Sequence, residues 1–265
     1  MLRTAGHAAS LRASPLRGVS VKKLLFWPYQ VYAWLIFLPF AAVITFISGW
    51  LTVLAAVLVN PHFASRWVAS NWARVLAWAT PVWVSVEGGE HAQRQRSYVV
   101  VSNHSSQYDI LALYGFLALD LKWVMKQELR KLPGVGIGCE KAGHIFVDRS
   151  RPEAAKQVIS DALARLGEGI GILFFPEGTR SLDGRLQTFK KGAFRTAIDT
   201  GLPVLPVSVI GAHEVLPAKT LKLFPGRIRL VVHPPIESAG ADVNELMRRS
   251  REAVASALPA EQRPA

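Results

Sequence analysis

The hydrophobic residues of the chain follow two patterns, and the first is a long apolar segment. Between Leu24 and Val59 the sequence contains no Asp, Glu, Lys or Arg. A core helix of a soluble protein rarely continues so far without a charge, so the pattern predicts insertion into a membrane. One straight helix of this length would extend roughly 54 Å, whereas the hydrocarbon core of a bilayer is about 30 Å thick. Breaks at Pro39 or Ser48–Gly49 would make it a re-entrant hairpin, and a single tilted span is the alternative.

The second pattern begins at residue 81, where short runs of β-branched and aromatic residues alternate with helical periodicity. This alternation predicts an α/β domain built on a largely buried sheet. Helices are expected near residues 107–119, 152–166, 191–200 and 242–258. The expected strands are Val82–Val86, Tyr98–Ser102, Trp123–Met125, His144–Val147, Gly171–Phe175, Val204–Ile210 and Ile228–His233.

These patterns divide the chain into three parts. We expect a basic N-terminal segment at residues 1–23, a membrane-inserted or re-entrant helical segment with an interfacial helix at 24–80, and an α/β domain at 81–265. Two helices of the domain carry capping signals, Ser150 with Glu153 and Asp242 with Glu245.

Tryptophan is concentrated around the apolar segment. Seven of the eight tryptophans lie between Trp27 and Trp83. Because tryptophan favours the membrane–water interface, residues 63–80 are expected to form a helix at the level of the lipid headgroups. Packing of Trp67, Trp72 and Trp78 against the domain is the alternative.

The charge of the chain supports a lipid surface as its partner. The formal net charge is +12, and residues 1–23 contain basic residues but no acid. Anionic lipid explains this excess together with the apolar segment, whereas the sequence has no zinc-finger spacing or RNA-binding motif that would indicate nucleic acid. Positive charge on both sides of the apolar segment places both of its ends in the cytoplasm. The single cysteine, Cys139, excludes an internal disulfide, and the dispersed histidines predict no metal site.

The candidate chemistry lies in the stretch SNHSSQYD, where His104 follows a predicted strand and Asp109 falls near the start of a helix. A carboxylate on one imidazole nitrogen fixes the tautomer and leaves the other nitrogen free to accept a proton. The chain lacks the G-x-S-x-G motif of serine hydrolases, so the base is expected to act on a hydroxyl group of the substrate. The alternative is a polar pair that only holds a loop in place.

Basic and polar residues follow several other predicted strands. Because the carboxyl ends of parallel strands meet at one edge of a sheet, the cluster predicts a phosphate-bearing substrate beside the His–Asp pair. Lys190 and Lys191 precede a predicted helix nearby. The candidate binding residues are Glu177, Gly178, Thr179 and Arg180 in FPEGTRS, Lys126 in KWVMK and Arg149 in GHIFVDR.

Four motifs in the order NHSSQYD, GHIFVDR, FPEGTRS and VLPVSV resemble those of the lysophosphatidic acid acyltransferases, the PlsC-like 1-acyl-sn-glycerol-3-phosphate acyltransferase family. The resemblance implies a glycerolipid acyltransferase-like α/β sheet flanked by helices, with a hydrophobic membrane-inserted segment at the N-terminus. It implies His104 as general base and Asp109 as its orienting partner. Glu177, Gly178 and Arg180 would bind the acceptor, with Arg180 nearest its phosphate.

The resemblance also implies the reaction and its partners. A fatty acyl group would pass from acyl-CoA or acyl carrier protein to the sn-2 hydroxyl of lysophosphatidic acid, giving phosphatidic acid for phospholipid biosynthesis. No cofactor beyond this co-substrate is expected. The expected location is the cytoplasmic (inner) membrane, with the catalytic domain facing the cytoplasm. Another lysolipid or glycerol-3-phosphate as acceptor is an alternative, and a membrane lipid hydrolase or a lipid-binding protein is an alternative of a different class.

Overall fold

A computed structural model describes residues 26–148, 157–162, 164 and 167–263. In this part of the chain seven strands form one sheet: β1 Val82–Glu87, β2 Tyr98–Ser102, β3 Asp120–Lys126, β4 Ile145–Val147, β5 Ile170–Phe174, β6 Val204–Ile210 and β7 Gly226–Val232. Their order across the sheet is β1-β7-β6-β2-β5-β3-β4. Every neighbouring pair is parallel except β6 with β7. Strands β2, β3, β5 and β6 therefore end at one edge, here called the carboxyl edge, where β1 and β7 begin.

Helices cover both faces of this sheet. In the described residues, the α-helices outside 157–164 are α1 Phe26–Tyr32, α2 Leu38–Leu58, α3 Pro61–Phe63, α4 Ser70–Ala79, α5 Tyr108–Phe116, α6 Val135–Lys141, α7 Gly192–Thr200, α8 Ala212–Val215 and α9 Val243–Ala257. Two π-helical turns, Ala33–Phe37 and Ala64–Ala69, join α1 to α2 and α3 to α4, and short 3₁₀ turns occupy Gly89–His91, Gln127–Lys131 and Ala260–Gln262. Residues 157–162 are also helical, whereas the predicted cap at Ser150 and Glu153 lies outside the described residues.

The sheet separates two apolar layers. Helices α4 and α5 pack on one face, and α7 and α9 pack on the other. The central strand β2, YVVVS, is fully buried along its length, as expected for a parallel strand covered on both faces. The α/β sheet flanked by helices that the sequence predicts is therefore confirmed.

The N-terminal apolar segment is one continuous helix from Phe26 to Leu58, and it is long and apolar enough to cross a membrane. Only 6% of its most apolar window is buried within the protein. The predicted break at Pro39 is wrong. The π-helical turn Ala33–Phe37 ends two residues before this proline, and its wider turn accommodates a residue that has no N–H to donate.

The predicted break at Ser48–Gly49 is also wrong, and the structure gives a different reason for the glycine. A Cβ atom on Gly49 would lie 2.3 Å from the carbonyl oxygen of Gly134, and one on Gly138 would lie 2.9 Å from the carbonyl oxygen of Gly49. Helices α2 and α6 therefore approach so closely at this point that only glycine fits. Small residues that permit such backbone contact are common where helices pack in membranes.

The chain reverses direction after α2. The side chain of Asn60 caps the next helix by accepting a hydrogen bond from the backbone N–H of Phe63 at 2.7 Å. The returning helix packs beside α2, where Trp72 Nε1 donates to Thr45 Oγ1 at 2.9 Å. Trp67 and Trp78 on the same returning segment remain exposed. Trp72 therefore packs against the protein, whereas the position of Trp67 and Trp78 at the lipid headgroups stays a prediction.

Candidate active site

The loop between β2 and α5 carries His104 at the carboxyl edge. The preceding residue, Asn103, continues the pairing of β2 with β6 through its side chain. Its amide donates to the carbonyl oxygen of Val209 and accepts from the backbone N–H of Val209, both at 2.8 Å. These two bonds fix the point at which the chain leaves the sheet, so the position of His104 is set by the sheet itself.

His104 and Asp109 form the hydrogen-bonded pair that the sequence predicts. The distance from His104 Nδ1 to Asp109 Oδ2 is 2.8 Å, and the carboxylate is fully buried while 13% of the imidazole is exposed. With Nδ1 donating to the carboxylate, the lone pair of the neutral ring lies on Nε2. The arrangement can therefore accept a proton at Nε2.

The carboxylate of Asp109 also holds the loop in shape. Its Oδ2 atom accepts the backbone N–H groups of Ser105 at 2.7 Å and Ser106 at 2.8 Å. Helix α5 begins at Tyr108, one residue after the start expected from the sequence. Asp109 thus reaches back from the first turn of α5 and orders the residues between itself and the histidine.

Glu177 joins the loop that carries His104 to the segment that contains Gln187. Its Oε1 accepts the backbone N–H of His104 at 2.7 Å, and its Oε2 accepts that of Gln187 at 3.1 Å. Burial raises the pKa of Glu177 to about 7, and the nearby charge of Asp109 adds to this rise, while the two N–H groups and Arg251 oppose it. Both carboxyl oxygens are therefore engaged with the protein, which indicates a positioning role for a residue that the sequence suggested for the acceptor.

The FPEGTRS loop lies against His104 and its loop at two further points. The ring of Phe175 stacks on the imidazole of His104, with centroids 3.8 Å apart and planes 13° apart. The backbone N–H of Ser181 donates to the carbonyl oxygen of His104 at 2.8 Å. Sequence reasoning did not select Phe175, because in a run of two phenylalanines at the end of a strand it has the signature of an ordinary core residue.

Gly178 has a conformation and a neighbour that require glycine. Its φ is +79°, and a Cβ atom there would lie 2.6 Å from Nζ of Lys190. The Lys190 amino group therefore rests against the backbone of the loop. Thr179 is exposed and Arg180 is half-buried on the same loop, so a lysine and an arginine flank its surface.

The other predicted binding residues are Lys126 and Arg149, and no contact in the described part of the chain links them to His104. Lys126 ends β3, which is separated from β2 by β5, and its exposed amino group lies 3.3 Å from a carboxylate oxygen of Glu128. Arg149 lies outside the described residues. His144 is buried, as a structural residue would be, and burial lowers its pKa to about 3, with the charge of Lys122 adding to the effect.

Comparisons with known proteins agree with this fold and with these motifs. A family model described as Acyltransferase matches residues 83–210, which contain both the His–Asp loop and the FPEGTRS loop. These residues therefore form an acyltransferase-type domain.

The relatives define the family more closely. A 1-acyl-sn-glycerol-3-phosphate acyltransferase of Chlamydomonas reinhardtii is 34% identical over 76% of this chain, which spans 60% of the algal protein's length. The corresponding alpha enzyme of Mus musculus is 33% identical, over 74% of this chain and 71% of its own length. The crystal structure of the 1-acyl-sn-glycerophosphate acyltransferase PlsC from Thermotoga maritima superimposes with a TM-score of 0.72 at 29% identity, over 88% of this chain and 94% of that one. The chain belongs to the 1-acyl-sn-glycerol-3-phosphate acyltransferase family.

Proposed function

We propose that this protein transfers a fatty acyl group from an acyl thioester to the sn-2 hydroxyl of lysophosphatidic acid, giving phosphatidic acid in phospholipid biosynthesis. The observation that carries the proposal is the His104–Asp109 pair, 2.8 Å apart at the carboxyl edge and in contact with the FPEGTRS loop. Family membership supports the same reaction, since relatives across 74–76% of the chain are named for this acceptor.

In the proposed step His104 Nε2 removes the proton of the substrate hydroxyl. The oxygen attacks the thioester carbonyl carbon, a carbon–oxygen bond forms, and the carbon–sulfur bond breaks. The proton passes from the imidazolium to the departing thiolate, so the histidine returns to its neutral state. A thioester is already activated, so a positioned base and oriented substrates suffice without a covalent enzyme intermediate or a further cofactor.

The cations of the FPEGTRS surface supply the acceptor site. Arg180 offers a planar fork suited to a phosphate, and Lys190 adds a point charge against the backbone of Gly178. Thr179 is exposed on the same loop as Arg180 and can donate its hydroxyl proton. Glu177 acts by holding the backbone of His104. Lys126 would contribute only to a phosphate that extends toward β3, and Arg149 is a candidate from the sequence alone.

The apolar helix supports a membrane location for this chemistry. Lysophosphatidic acid resides in the bilayer, whereas acyl-CoA and acyl carrier protein are water-soluble, so the site must meet both phases. We place the protein at the cytoplasmic (inner) membrane with its domain in the cytoplasm, because positive charge flanks the apolar segment on both sides.

Product analysis tests the reaction. Purified full-length protein is mixed with 1-oleoyl-lysophosphatidic acid and oleoyl-CoA, and the lipids are measured by mass spectrometry beside the His104→Ala variant. Phosphatidic acid from the wild-type protein alone is the expected result. General-base catalysis is worth about 10²–10⁴-fold, so the variant should lose at least that factor.

The other outcomes separate the alternatives. Free oleate without phosphatidic acid would identify a hydrolase. If oleoyl-CoA gives no product, the assay is repeated with oleoyl-acyl carrier protein as donor and with other lysolipids as acceptor. A product from one of these would identify that donor or acceptor as the substrate. Equal phosphatidic acid from both proteins would reject His104 as the base.

A further inference from the structure

A loop rich in basic residues lies at the same edge of the sheet as the candidate active site. Residues 217–225, here called the basic loop, connect α8 to the start of β7 at the carboxyl edge. The residue just before it is tied to the catalytic loop, because Ser106 Oγ donates to the carbonyl oxygen of Leu216 at 2.8 Å. Whatever surface the basic loop contacts is therefore close to the proposed site of chemistry.

The basic loop is bound to the apolar helix through a buried amide. Gln30 Nε2 donates to the carbonyl oxygen of Leu223 at 2.6 Å, and Leu223 N–H donates to Gln30 Oε1 at 3.1 Å. In addition, Trp34 Nε1 donates to the carbonyl oxygen of Leu221 at 2.9 Å. A glutamine buried to 1% exposure in an apolar helix is costly without partners, and the loop backbone supplies both of them. Helix and loop thus form one continuous surface.

This surface combines exposed apolar side chains with positive charge. Leu221 is 69% exposed, and Trp27 and Trp34 of the apolar helix are 66% and 42% exposed. Lys219 and Lys222 are exposed on either side of Leu221. This is the combination expected of a surface that inserts apolar groups below a layer of anionic headgroups.

A third cation extends the surface onto the sheet. Arg227 is exposed and lies in register with Trp83 of β1, which is 62% exposed. Among the described residues, no carboxylate lies at ion-pair distance from Lys219, Lys222 or Arg227. Arg229 differs, because it pairs with Glu87 at 3.0 Å.

We propose that the basic loop is a second membrane contact that selects anionic lipid: Leu221 inserts beside Trp34, and Lys219, Lys222 and Arg227 bind the headgroups. A nucleic acid or an acidic protein would match the charge but would leave Leu221 and the exposed helix tryptophans in water. The inference rests on the membrane location proposed above and not on the reaction, so its test does not require catalysis.

The test follows a fluorescent probe on the loop in the full-length protein. Leu221→Cys is introduced into a Cys139→Ser background, labelled with the fluorophore NBD and reconstituted into vesicles of phosphatidylcholine alone or with 30% phosphatidylglycerol. Blue-shifted emission and quenching by brominated lipid report insertion. We expect insertion in the anionic vesicles, weakened by 0.5 M NaCl because salt screens surface charge. A probe at Arg195→Cys on α7 should remain in water in both vesicles.

Charge neutralisation completes the test. The triple variant Lys219→Gln, Lys222→Gln, Arg227→Gln should shift the loop toward water, by about fivefold in the insertion equilibrium for each cation removed. A matched triple variant, Arg94→Gln, Arg195→Gln, Arg249→Gln, has the same net charge but changes exposed residues elsewhere, and it should leave insertion unaltered. The proposal would be overturned if the extent of insertion did not depend on phosphatidylglycerol or salt. It would also be overturned if the probe stayed in water in every vesicle. Equal loss in the two triple variants would also overturn it, since net charge alone would then explain the effect.

Discussion

Asp109 offers a way to separate the charge of a carboxylate from its geometry. One oxygen, Oδ2, takes all three hydrogen bonds, from His104 Nδ1 and from the backbone N–H groups of Ser105 and Ser106, whereas Oδ1 is buried without a partner. In Asp109→Asn the amide oxygen can accept the same three bonds. We therefore expect near-normal thermal stability with kcat lowered about 10²–10⁴-fold, because the charge that stabilises the imidazolium is gone.

The matching substitution Asp109→Ala removes the acceptor as well. Two buried N–H groups then lose their partner, at a cost of about 1–3 kcal/mol each. Steady-state kinetics and thermal unfolding of both variants should show lost activity in each but lost stability only in the alanine variant. An asparagine variant with the wild-type kcat would show that the carboxylate serves the loop and not the base.

Glu177 should make stability depend on pH. Its folded-state pKa is about 7, raised from 4.5 chiefly by burial, so its contribution to stability is complete below about pH 4.5 and is lost as pH rises through 7. The rise of about 2.5 units corresponds to about 3 kcal/mol. We expect the free energy of unfolding of the wild type, relative to Glu177→Gln, to decline between pH 5 and pH 8. A constant difference across that range would mean that the carboxyl group ionises in the folded protein as it does in water.

A single methyl group added at Gly178 should weaken binding of the acceptor. Gly178→Ala places a Cβ atom 2.6 Å from Lys190 Nζ and at a φ of +79°, so the lysine must move and the backbone is strained by about 1 kcal/mol. We expect a KM for the phosphate-bearing acceptor raised about tenfold with a smaller change in kcat. Lys190→Ala is the matched variant: it should raise the KM without lowering the melting temperature, and an unchanged KM there would remove Lys190 from the acceptor site.

At the scale of secondary-structure elements, the contact between α2 and α6 leaves no room for an added methyl group. A methyl group on Gly49 would overlap the backbone of Gly134, which cannot move aside as a flexible side chain can. We expect Gly49→Ala to lower stability by about 1–3 kcal/mol, measured as a lower melting temperature in detergent. Gly192→Ala, where a Cβ atom meets nothing within 4 Å, should change it little. Equal effects of the two substitutions would show that the helices can separate at no cost.

The same contact explains why the sequence did not predict helix α6. All seven strands were predicted within a few residues, because buried parallel strands are short apolar runs bounded by turns. The sequence did not predict α6, whose stretch PGVGIGCEK contains three glycines. Ser48–Gly49 suggested a break in the apolar helix because glycine is common in turns. In each case a long-range backbone contact, which no local pattern records, requires the glycine.

The sequence predicts the candidate site where it predicts the end of the strand that carries each residue. His104, Asp109 and Glu177 meet because β2 and β5 are neighbours, and their strand ends were apparent from the sequence. Lys126 was grouped with them although strand order places β5 between it and the histidine. Strand order depends on pairing across the whole sheet. The sequence therefore predicts that the cations lie at one edge, but it does not predict their distances from His104.

For the whole molecule, the contacts of the long helix extend from Gln30, past Ala33 and Phe37 of the apolar core, to Gly49. Gln30 binds the basic loop, and Gly49 meets α6 roughly 28 Å further along the helix, close to the full thickness of a hydrocarbon core of about 30 Å. A helix perpendicular to the membrane would draw the polar domain into the bilayer along this length. We therefore expect the helix to lie along the membrane surface, with both of its ends on the side of the domain.

Cysteine labelling checks this orientation. Lys23→Cys and Arg66→Cys, each in the Cys139→Ser background, are treated with a membrane-impermeant maleimide in sealed vesicles whose outward-facing domains are identified by Arg195→Cys. All three positions should react from the same side without detergent. Protection of Lys23→Cys or Arg66→Cys until detergent is added would establish a helix that crosses the membrane.

The orientation expected for the helix, along one membrane surface, has a consequence for the lipids themselves. A protein seated along one surface takes its lipid from one leaflet and returns it there. Under the proposed reaction each turnover converts a single-chain lipid into a double-chain lipid, so the area of that leaflet grows while the opposite leaflet gains nothing. A bilayer supplied in this way would bend toward the unsupplied side, and its continued growth would require a separate route that carries lipid from one leaflet to the other.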